Sequence, residues 1–184
     1  NEMKVDGFQI MDESGDEDRI VRMIGDLVGQ QNKDNITMAA MQNFFTEKSG
    51  RMAEMICPFS SKYKYCGVSY GQNNFVLGAP EFVLRESFDR YGDYVNQMSE
   101  KGYRVLAFAQ VGEAPKGQPL STRAHLLALI FLTNPIRKAA KETFGFFADN
   151  GVDIKVISGD NPVTVSNVAL EAGILGAENY IDAR

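Results

Sequence analysis

Apolar positions near the start of the chain recur every three or four residues. Ile20, Ile24, Leu27 and Val28 follow this spacing, which predicts a helix with one buried stripe. A second helix is predicted over about residues 37–45, with its own apolar stripe. Its members are Met38, Met41, Phe44 and Phe45. Such a stripe favours a role in the core over a cofactor site.

The apolar spacing then changes to two, which predicts strands. Gly71 and Gln72 fit the turn of a hairpin, and helices are predicted over residues 80–86 and 94–100. Residues 1–126 therefore predict an antiparallel sheet with flanking helices. The predicted strands cover residues 52–56, 65–70, 73–77, 104–111 and 126–132.

The last part of the chain predicts a helix, a buried strand and a second helix. Asn134 and Pro135 fit the start of the first helix, and Asn150 with Gly151 fits its end. Together with the strand over residues 126–132, these elements predict a βαβ unit that begins at Leu126. The inner face of the first helix holds Ile136, Ala140, Phe144 and Phe147.

The predicted buried strand contains Ile154, Val156 and Ile157, and a Ser158-Gly159-Asp160 turn follows it. In doubly wound sheets, ligands bind beyond the carboxyl ends of the strands. Ser158 and Asp160 are therefore candidates for handling a phosphate or a metal. The alternative is a turn that these two side chains simply cap. The second helix starts near Pro162 and presents an inner face of Val165, Val168, Ala169 and Ala172.

Composition limits the possible functions. The 184 residues are 44% apolar, enough for one compact domain or one and a half, and the net charge of −5 argues against a nucleic-acid partner. The longest apolar run, residues 126–132, is far shorter than the roughly 20 residues of a membrane span, so we expect a soluble piece. Its opening residues indicate an internal piece of a longer protein.

No metal site is predicted. Cys57 and Cys66 lack a CxxC spacing and His125 is the single histidine, so the cysteines are expected to be reduced packing residues in a cytoplasmic setting. The acidic loop over residues 12–18 lacks the calcium-loop spacing, because Met23 stands at the twelfth position counted from Asp12.

The run from Asn134 to Ile174 reads N-P-I-R, then N-G-V-D-I-K-V-I-S-G-D-N, then E-A-G-I. It resembles the hinge and phosphorylation-domain segment of P-type cation-transporting ATPases, whose pattern is D-P-x-R, a helix, A-G-I-x-V, T-G-D and a helix ending in G-I. The resemblance implies that Ser158, Gly159 and Asp160 help to shape a phosphoryl site. It also implies that Asn134, which replaces an aspartate, and Arg137 contribute at the hinge to nucleotide binding.

Three earlier segments resemble the nucleotide-binding domain of the same ATPases. The segment P-F-S-S-K-Y-K at residues 58–64 resembles F-S-x-x-x-K, which implies that Phe59 stacks on adenine and that Lys64 flanks the pocket. Taken without the motif, Phe59 is a core ring and Lys64 an exposed strand residue. The segment G-Y-R-V-L-A at residues 102–107 resembles G-x-R-x-L-A, which implies that Arg104 reaches the phosphates.

The segment L-G-A-P-E at residues 77–81 resembles K-G-A-P-E. Leu77 replaces the lysine and would form an apolar wall, whereas Gly78 and Ala79 would let the backbone approach the base. Upstream, the segment N-I-T-M-A-A at residues 35–40 resembles D-P-T-E-x-A, with Met38 in place of the glutamate that recognises adenine. Relaxed base specificity is therefore expected.

The resemblance implies two parts, a nucleotide-binding domain over residues 1–133 and a partial phosphorylation domain over 134–184. The overall fold class is α/β, with an antiparallel sheet and flanking helices followed by a partial Rossmann-like, haloacid-dehalogenase-type αβα segment. The implied cofactor is ATP, with Mg²⁺ in the full-length parent. The implied partners are the other phosphorylation, actuator and transmembrane domains of an integral membrane protein.

In this interpretation, the chain positions ATP for transfer to an aspartate outside it, and by itself it is inactive. The family's D-K-T-G-T and G-D-G-x-N-D motifs do not occur in the chain, and no transported ion can be inferred. Two alternatives stay open. One is a haloacid-dehalogenase-type phosphatase, which needs an N-terminal D-x-D nucleophile on a strand, and no predicted strand carries one. The other is a non-catalytic binding or regulatory module, which Leu77 and Met38 would permit.

Overall fold

The computed structural model describes residues 3–136, 139–158 and 162–181. At its centre lies a six-stranded sheet in the order β1-β6-β5-β4-β3-β2, in which each pair of neighbours runs antiparallel. This sheet confirms the fold class predicted for the first part of the chain. Its strands are β1 (Lys4–Ile10), β2 (Met55–Cys57), β3 (Tyr65–Tyr70), β4 (Asn73–Gly78), β5 (Arg104–Val111) and β6 (His125–Thr133).

Helices flank the sheet, and capping side chains fix the starts of the first two. Asp16 accepts a hydrogen bond from the backbone N–H of Arg19 at 3.1 Å, and Asn35 accepts one from Met38 at 2.8 Å. A single 3-10 turn, Arg85–Ser87, links the third helix to the fourth. The α-helices of the described residues are α1 (Glu17–Gly29), α2 (Ile36–Phe44), α3 (Pro80–Leu84), α4 (Asp89–Glu100), α5 (Ala140–Asp149) and α6 (Pro162–Glu171).

The two faces of the sheet support separate apolar cores. Ile20, Ile24 and Met41, from α1 and α2, are fully buried in the core of one face. Val83 and Val95, from α3 and α4, are buried in the core of the other. Successive side chains of a strand point to opposite faces, so one strand serves both cores. The first part of the molecule is therefore a three-layer arrangement of helices, sheet and helices.

Strand β6 corrects the prediction of a βαβ unit that begins at Leu126. It pairs antiparallel with β1 on one side and with β5 on the other, so it belongs to the antiparallel sheet. The sequence reasoning had missed β1. Its pairing with β6 shifts register between Val5 and Gly7, and this bulge breaks the alternation by which strands are recognised. The predicted strand over residues 52–56 is also displaced, because β2 covers Met55–Cys57.

The helix predicted from Asn134 begins later than expected, at Ala140, and residues 134–136 are irregular. Its end is as predicted, because Asn150 is the cap and Gly151 has a φ of 69°. The strand predicted around Ile154, Val156 and Ile157 is wrong. Residues 152–158 are irregular, and the Ile157 side chain is 97% exposed.

The missing strand has a simple physical reason. A strand is held by hydrogen bonds to a neighbouring strand, and residues 152–158 pair with none of the six strands of the sheet. The following helix, α6, does form, and Ala169 and Ala172 on it are buried. The αβα segment is therefore not shown. The division into two domains at residues 133 and 134 stays a prediction.

Of the helices in the described residues, none combines the length and the apolar character needed to span a bilayer.

Candidate functional site

A cleft of about 600 Å³ opens at the end of the sheet where β4 stops and β5 starts. Its volume is within the range of roughly 300–1,000 Å³ that is typical of small-molecule sites. The first turns of α2 and the last turns of α4 complete its walls. The cleft brings together residues that the sequence predicted from three separate segments: Phe59, Lys64, Leu77, Gly78, Ala79 and Arg104.

The floor of the cleft is apolar. Met38, Met41, Cys66 and Leu77 line it, and all four side chains are buried. Burial raises the pKa of the Cys66 thiol to about 12, so this sulfur carries no charge near neutral pH. The floor therefore offers packing to the flat apolar part of a ligand and no ion to pair with.

Phe59 lies at the side of the cleft on the turn between β2 and β3. Its side chain is 47% exposed, so it is not the core ring of the alternative interpretation. The turn is held by the Lys64 backbone N–H, which donates to the Ser60 carbonyl at 2.7 Å. The Tyr63 backbone N–H donates to the Ser60 hydroxyl at 3.2 Å. A ring held in this way is available for stacking.

Gly78 is required by the protein's own backbone. A Cβ atom at this position would lie 2.6 Å from the Cα of Tyr65, and closer still to the Lys64 carbonyl oxygen. That oxygen also accepts a hydrogen bond from the Ala79 backbone N–H at 2.9 Å. Lys64 itself has a φ of 56°, an uncommon backbone conformation for a residue with a side chain. Gly78 therefore sets the close approach of β3 and β4 along this wall of the cleft.

The two cations of the predicted set, Lys64 and Arg104, lie at the exposed rim. Arg104 donates from Nη1 to the Thr37 hydroxyl at 3.1 Å, and this hydroxyl contacts the Met3 sulfur at 3.3 Å. The cleft thus combines an apolar floor with cationic groups at its edge. This arrangement suits a molecule with a flat ring at one end and negative charge at the other.

Among the cleft residues that sequence reasoning missed are Thr37, Met41 and Tyr103. Thr37 lies inside a motif that had been recognised, so its position was a usable signal for its role beside Arg104. Tyr103 donates a hydrogen bond to Asp6 at 3.0 Å, which raises the pKa of the Tyr103 hydroxyl. Met41 had been assigned to the core, and it is both fully buried and part of the floor.

The predicted residues of the last part of the chain are not brought to this cleft. Asn134 is exposed in an irregular segment, and neither it nor Ser158 lines the cleft. Arg137, Gly159 and Asp160 lie outside the described residues.

In the acidic loop before α1, the Asp12 carboxylate already has partners within this chain. Asp12 accepts hydrogen bonds from Ser14 and pairs with His125 at 2.8 Å and with Arg19 at 3.4 Å. The hydrogen bonds from Ser14 and His125 lower the pKa of the Asp12 carboxyl. In the residues the structure describes, no group of three or more histidine, cysteine, aspartate or glutamate side chains could hold a metal ion.

Comparison with known proteins places these features in context. No protein-family model matches the chain. It is 33% identical over 183 residues to the calcium-transporting ATPase CtpE of Mycolicibacterium smegmatis, which covers 97% of this chain and 22% of that protein. It is 28% identical over 117 residues to the potassium-transporting ATPase ATP-binding subunit of Clostridium botulinum, covering 64% of this chain and 16% of that protein.

The fold also occurs in a solved structure. A zinc-transporting PIB-type ATPase in the E2.Pi state matches 94% of this chain and 26% of its own, with a TM-score of 0.64 and 14% sequence identity. At that identity the match shows a shared fold. The chain spans only about a fifth of the length of the first relative, 22%. Over nearly its whole length, the chain is thus similar to a segment of a calcium-transporting ATPase, and it shares its fold with part of a zinc-transporting PIB-type ATPase.

Proposed function

We propose that this chain binds ATP in the cleft and positions it for phosphoryl transfer to an aspartate elsewhere in a P-type cation-transporting ATPase. The observation that carries this proposal is the convergence of the motif residues. Phe59 and Lys64 come from one segment and Gly78 and Arg104 from two others, and all four residues line one cleft. Its apolar floor and cationic rim match the two ends of a nucleotide.

Each group has a role in this proposal. Phe59 stacks on the base, an interaction worth roughly 1–3 kcal/mol per base, while Met38 and Leu77 form an apolar surface beneath it. Lys64 and Arg104 attract the phosphates, and Arg104 is the better suited of the two because its planar guanidinium can donate two parallel hydrogen bonds. Such a site acts by positioning, which is the main protein contribution in phosphoryl transfer.

The remaining roles rest on motif resemblance. Ser158, Gly159 and Asp160 would help to shape the phosphoryl site, and Asn134 and Arg137 would act at the hinge. Mg²⁺ neutralises phosphate charge when it is bound. Glu81 is the one carboxylate among the described residues that line the cleft, so we assign the Mg²⁺ ligands to other parts of the parent. In that parent, this chain would lie on the cytoplasmic side, with no phosphoryl transfer of its own.

One observation favours a second candidate, a binding or regulatory module without nucleotide. The positions that hold a lysine and a glutamate in the family pattern are Leu77 and Met38 here, and both side chains are buried in the floor. A titration with nucleotides separates the two candidates.

The test is a titration with ATP, ADP, AMP and GTP, followed by the backbone amide shifts of residues near Phe59, Gly78 and Arg104. Phe82 provides a matched control, because it is 39% exposed on α3 and does not line the cleft. We expect Phe59→Ala to weaken ATP binding by about fivefold or more, since a stacked base contributes at least roughly 1 kcal/mol. Phe82→Ala should leave the affinity unchanged.

Asp160→Ala should also leave ATP binding nearly unchanged, because its proposed role concerns the phosphoryl site. Equal losses in Phe59→Ala and Phe82→Ala would refute the stacking role. A folded spectrum without saturable shifts for any nucleotide would refute the proposed function and favour the binding module.

A further inference from the structure

A second groove, separate from the nucleotide cleft, lies at the opposite end of the sheet. Strand pairing fixes this placement, because Arg104 of β5 pairs with Leu132 at the cleft end, whereas Gln110 pairs with His125 at the other end. The groove has a volume of about 230 Å³. It shares no lining residue with the cleft, and its polar lining consists of Ser87, Arg90, Tyr91, Arg123 and His125.

Two guanidinium groups face this groove without a carboxylate partner. Among the described residues, no aspartate or glutamate lies within ion-pair distance of Arg90 or Arg123. Asp12, which pairs with His125 of the groove, is also engaged by Arg19. The groove therefore presents two guanidinium groups that form no ion pair with a carboxylate of the described residues.

Neighbouring side chains orient both guanidinium groups. Arg123 donates from Nε to the Ser87 hydroxyl at 3.1 Å, which leaves both terminal NH₂ groups for another acceptor. Arg90 lies over the Tyr91 ring, 5.6 Å from its centroid. His125 is held by Asp12 at 2.8 Å on the same groove wall. Orientation matters because less side-chain entropy is lost when an anion binds to groups that are already placed.

The size and chemistry of the groove restrict its ligand. Its volume of about 230 Å³ is below the roughly 300–1,000 Å³ typical of sites for drug-sized molecules, so a small ligand fits it better than a whole nucleotide. Planar guanidinium groups pair with tetrahedral phosphate oxygens through parallel hydrogen bonds. Two such groups favour a dianion over a monoanion by simple charge balance. We propose that this Arg90–Arg123 groove binds a small phosphate-type dianion, either inorganic phosphate or the phosphate of a small monoester.

The test uses the whole chain, with inorganic phosphate, glycerol phosphate and acetate titrated at constant ionic strength. The amide shifts of residues 87–91 and 123–126 and the ring signals of His125 report on the groove. We expect saturable shifts with one or both phosphates and none with acetate. Tighter binding of glycerol phosphate would identify the ligand as a monoester, and tighter binding of phosphate would identify the free ion. Either result supports the proposal.

Variants give the decisive comparison. Arg90→Gln and Arg123→Gln should each weaken phosphate binding by roughly tenfold, as expected for the loss of a charge-assisted hydrogen bond. Lys116→Gln removes one positive charge from an exposed loop and should change nothing. Ser87→Ala keeps both charges but releases Arg123, so it should have an intermediate effect.

The proposal is overturned if acetate produces the same shifts with the same affinity. It is also overturned if both arginine variants bind phosphate like Lys116→Gln, or if phosphate shifts only residues of the nucleotide cleft. Arg90 and Arg123 are exposed, so their replacement should keep the dispersed spectrum of the folded chain. Because the groove shares no lining residue with the cleft, this result is independent of ATP binding.

Discussion

Replacing Thr37 with valine removes the hydroxyl that holds Arg104 at the rim of the cleft, while the volume of the side chain stays nearly the same. The Thr37 hydroxyl accepts a hydrogen bond from Arg104 Nη1 at 3.1 Å. If Arg104 binds the phosphates of ATP, the lost hydrogen bond lets the guanidinium move more freely before ATP arrives. ATP binding must then order the side chain again, which costs affinity.

The structure sets the expected size of this effect. A hydrogen bond to a charged group contributes about 1.5–3 kcal/mol, but this pair lies at the exposed rim, where water replaces much of it. We therefore expect Thr37→Val to weaken ATP binding by about 1 kcal/mol, which is roughly fivefold. Arg104→Gln removes the phosphate contact itself and should cost more, roughly tenfold or above. Thr37→Ser keeps the hydroxyl and should bind ATP normally.

Calorimetric titration with ATP and with adenosine provides the assay. Adenosine lacks phosphates, so its affinity should not change in Thr37→Val or in Arg104→Gln. The double variant should match Arg104→Gln alone, because Thr37 acts through Arg104 and contacts that share a partner are not additive. An equal loss of adenosine binding in Thr37→Val would refute the reasoning, as would additive losses in the double variant.

Two further predictions concern stability and the buried thiol. Gly78→Ala should lower the free energy of unfolding by about 1–3 kcal/mol or more in denaturant titrations, because the new Cβ would overlap the Lys64 carbonyl. Gly145→Ala on α5 is the control; its Cβ would meet nothing within 4 Å, so we expect no loss. Cys66 should react with thiol reagents far more slowly in the native than in the denatured chain, because its pKa is raised to about 12. Since the unfolded thiol ionises at about pH 9.0, the contribution of Cys66 to stability should be intact below that pH and decline as the pH rises towards 12. Cys66→Ala should make the alkaline loss of stability smaller, while the raised pKa values of Cys57, Tyr65 and Tyr70 preserve the rest of it.

The antiparallel sheet was largely predictable because its central strands carry clear local signals. Strands β3 and β5 have the bounds that alternation predicted, and Gly71 between β3 and β4 has the positive φ of 68° that a tight turn uses. Strand β1 lacked such a signal. Asp6 and Gly7 interrupt its alternation at the bulge, and its place in the sheet depends on β6, which lies more than a hundred residues away.

The strand predicted around Val156 failed for the opposite reason. Its local pattern is that of a buried strand, but a strand also needs a partner that local pattern cannot supply. The sheet has β1 and β2 at its edges, and neither edge continues into residues 152–158. Apolar side chains such as Ile157 are consequently exposed.

The residues of the cleft that belong to recognisable motifs could be predicted from the sequence. Phe59, Leu77 and Arg104 came from short patterns with a recognisable order, and the structure places all three around one space. The floor residues Met41 and Cys66 carry no such pattern. They are buried apolar side chains on α2 and β3, and in a sequence they look like any other core positions.

The apolar floor has a consequence for how such a cleft would select its ligand. A site built from buried hydrogen-bonding groups rejects a wrong base strongly, because those groups are left unpaired. Met38 and Leu77 have no such groups, and an apolar pocket separates molecules of similar shape by only about one or two orders of magnitude. Each added phosphate, by contrast, brings negative charge that Lys64 and Arg104 at the rim attract. The number of phosphates should therefore change the affinity of this cleft more than the exchange of adenine for guanine.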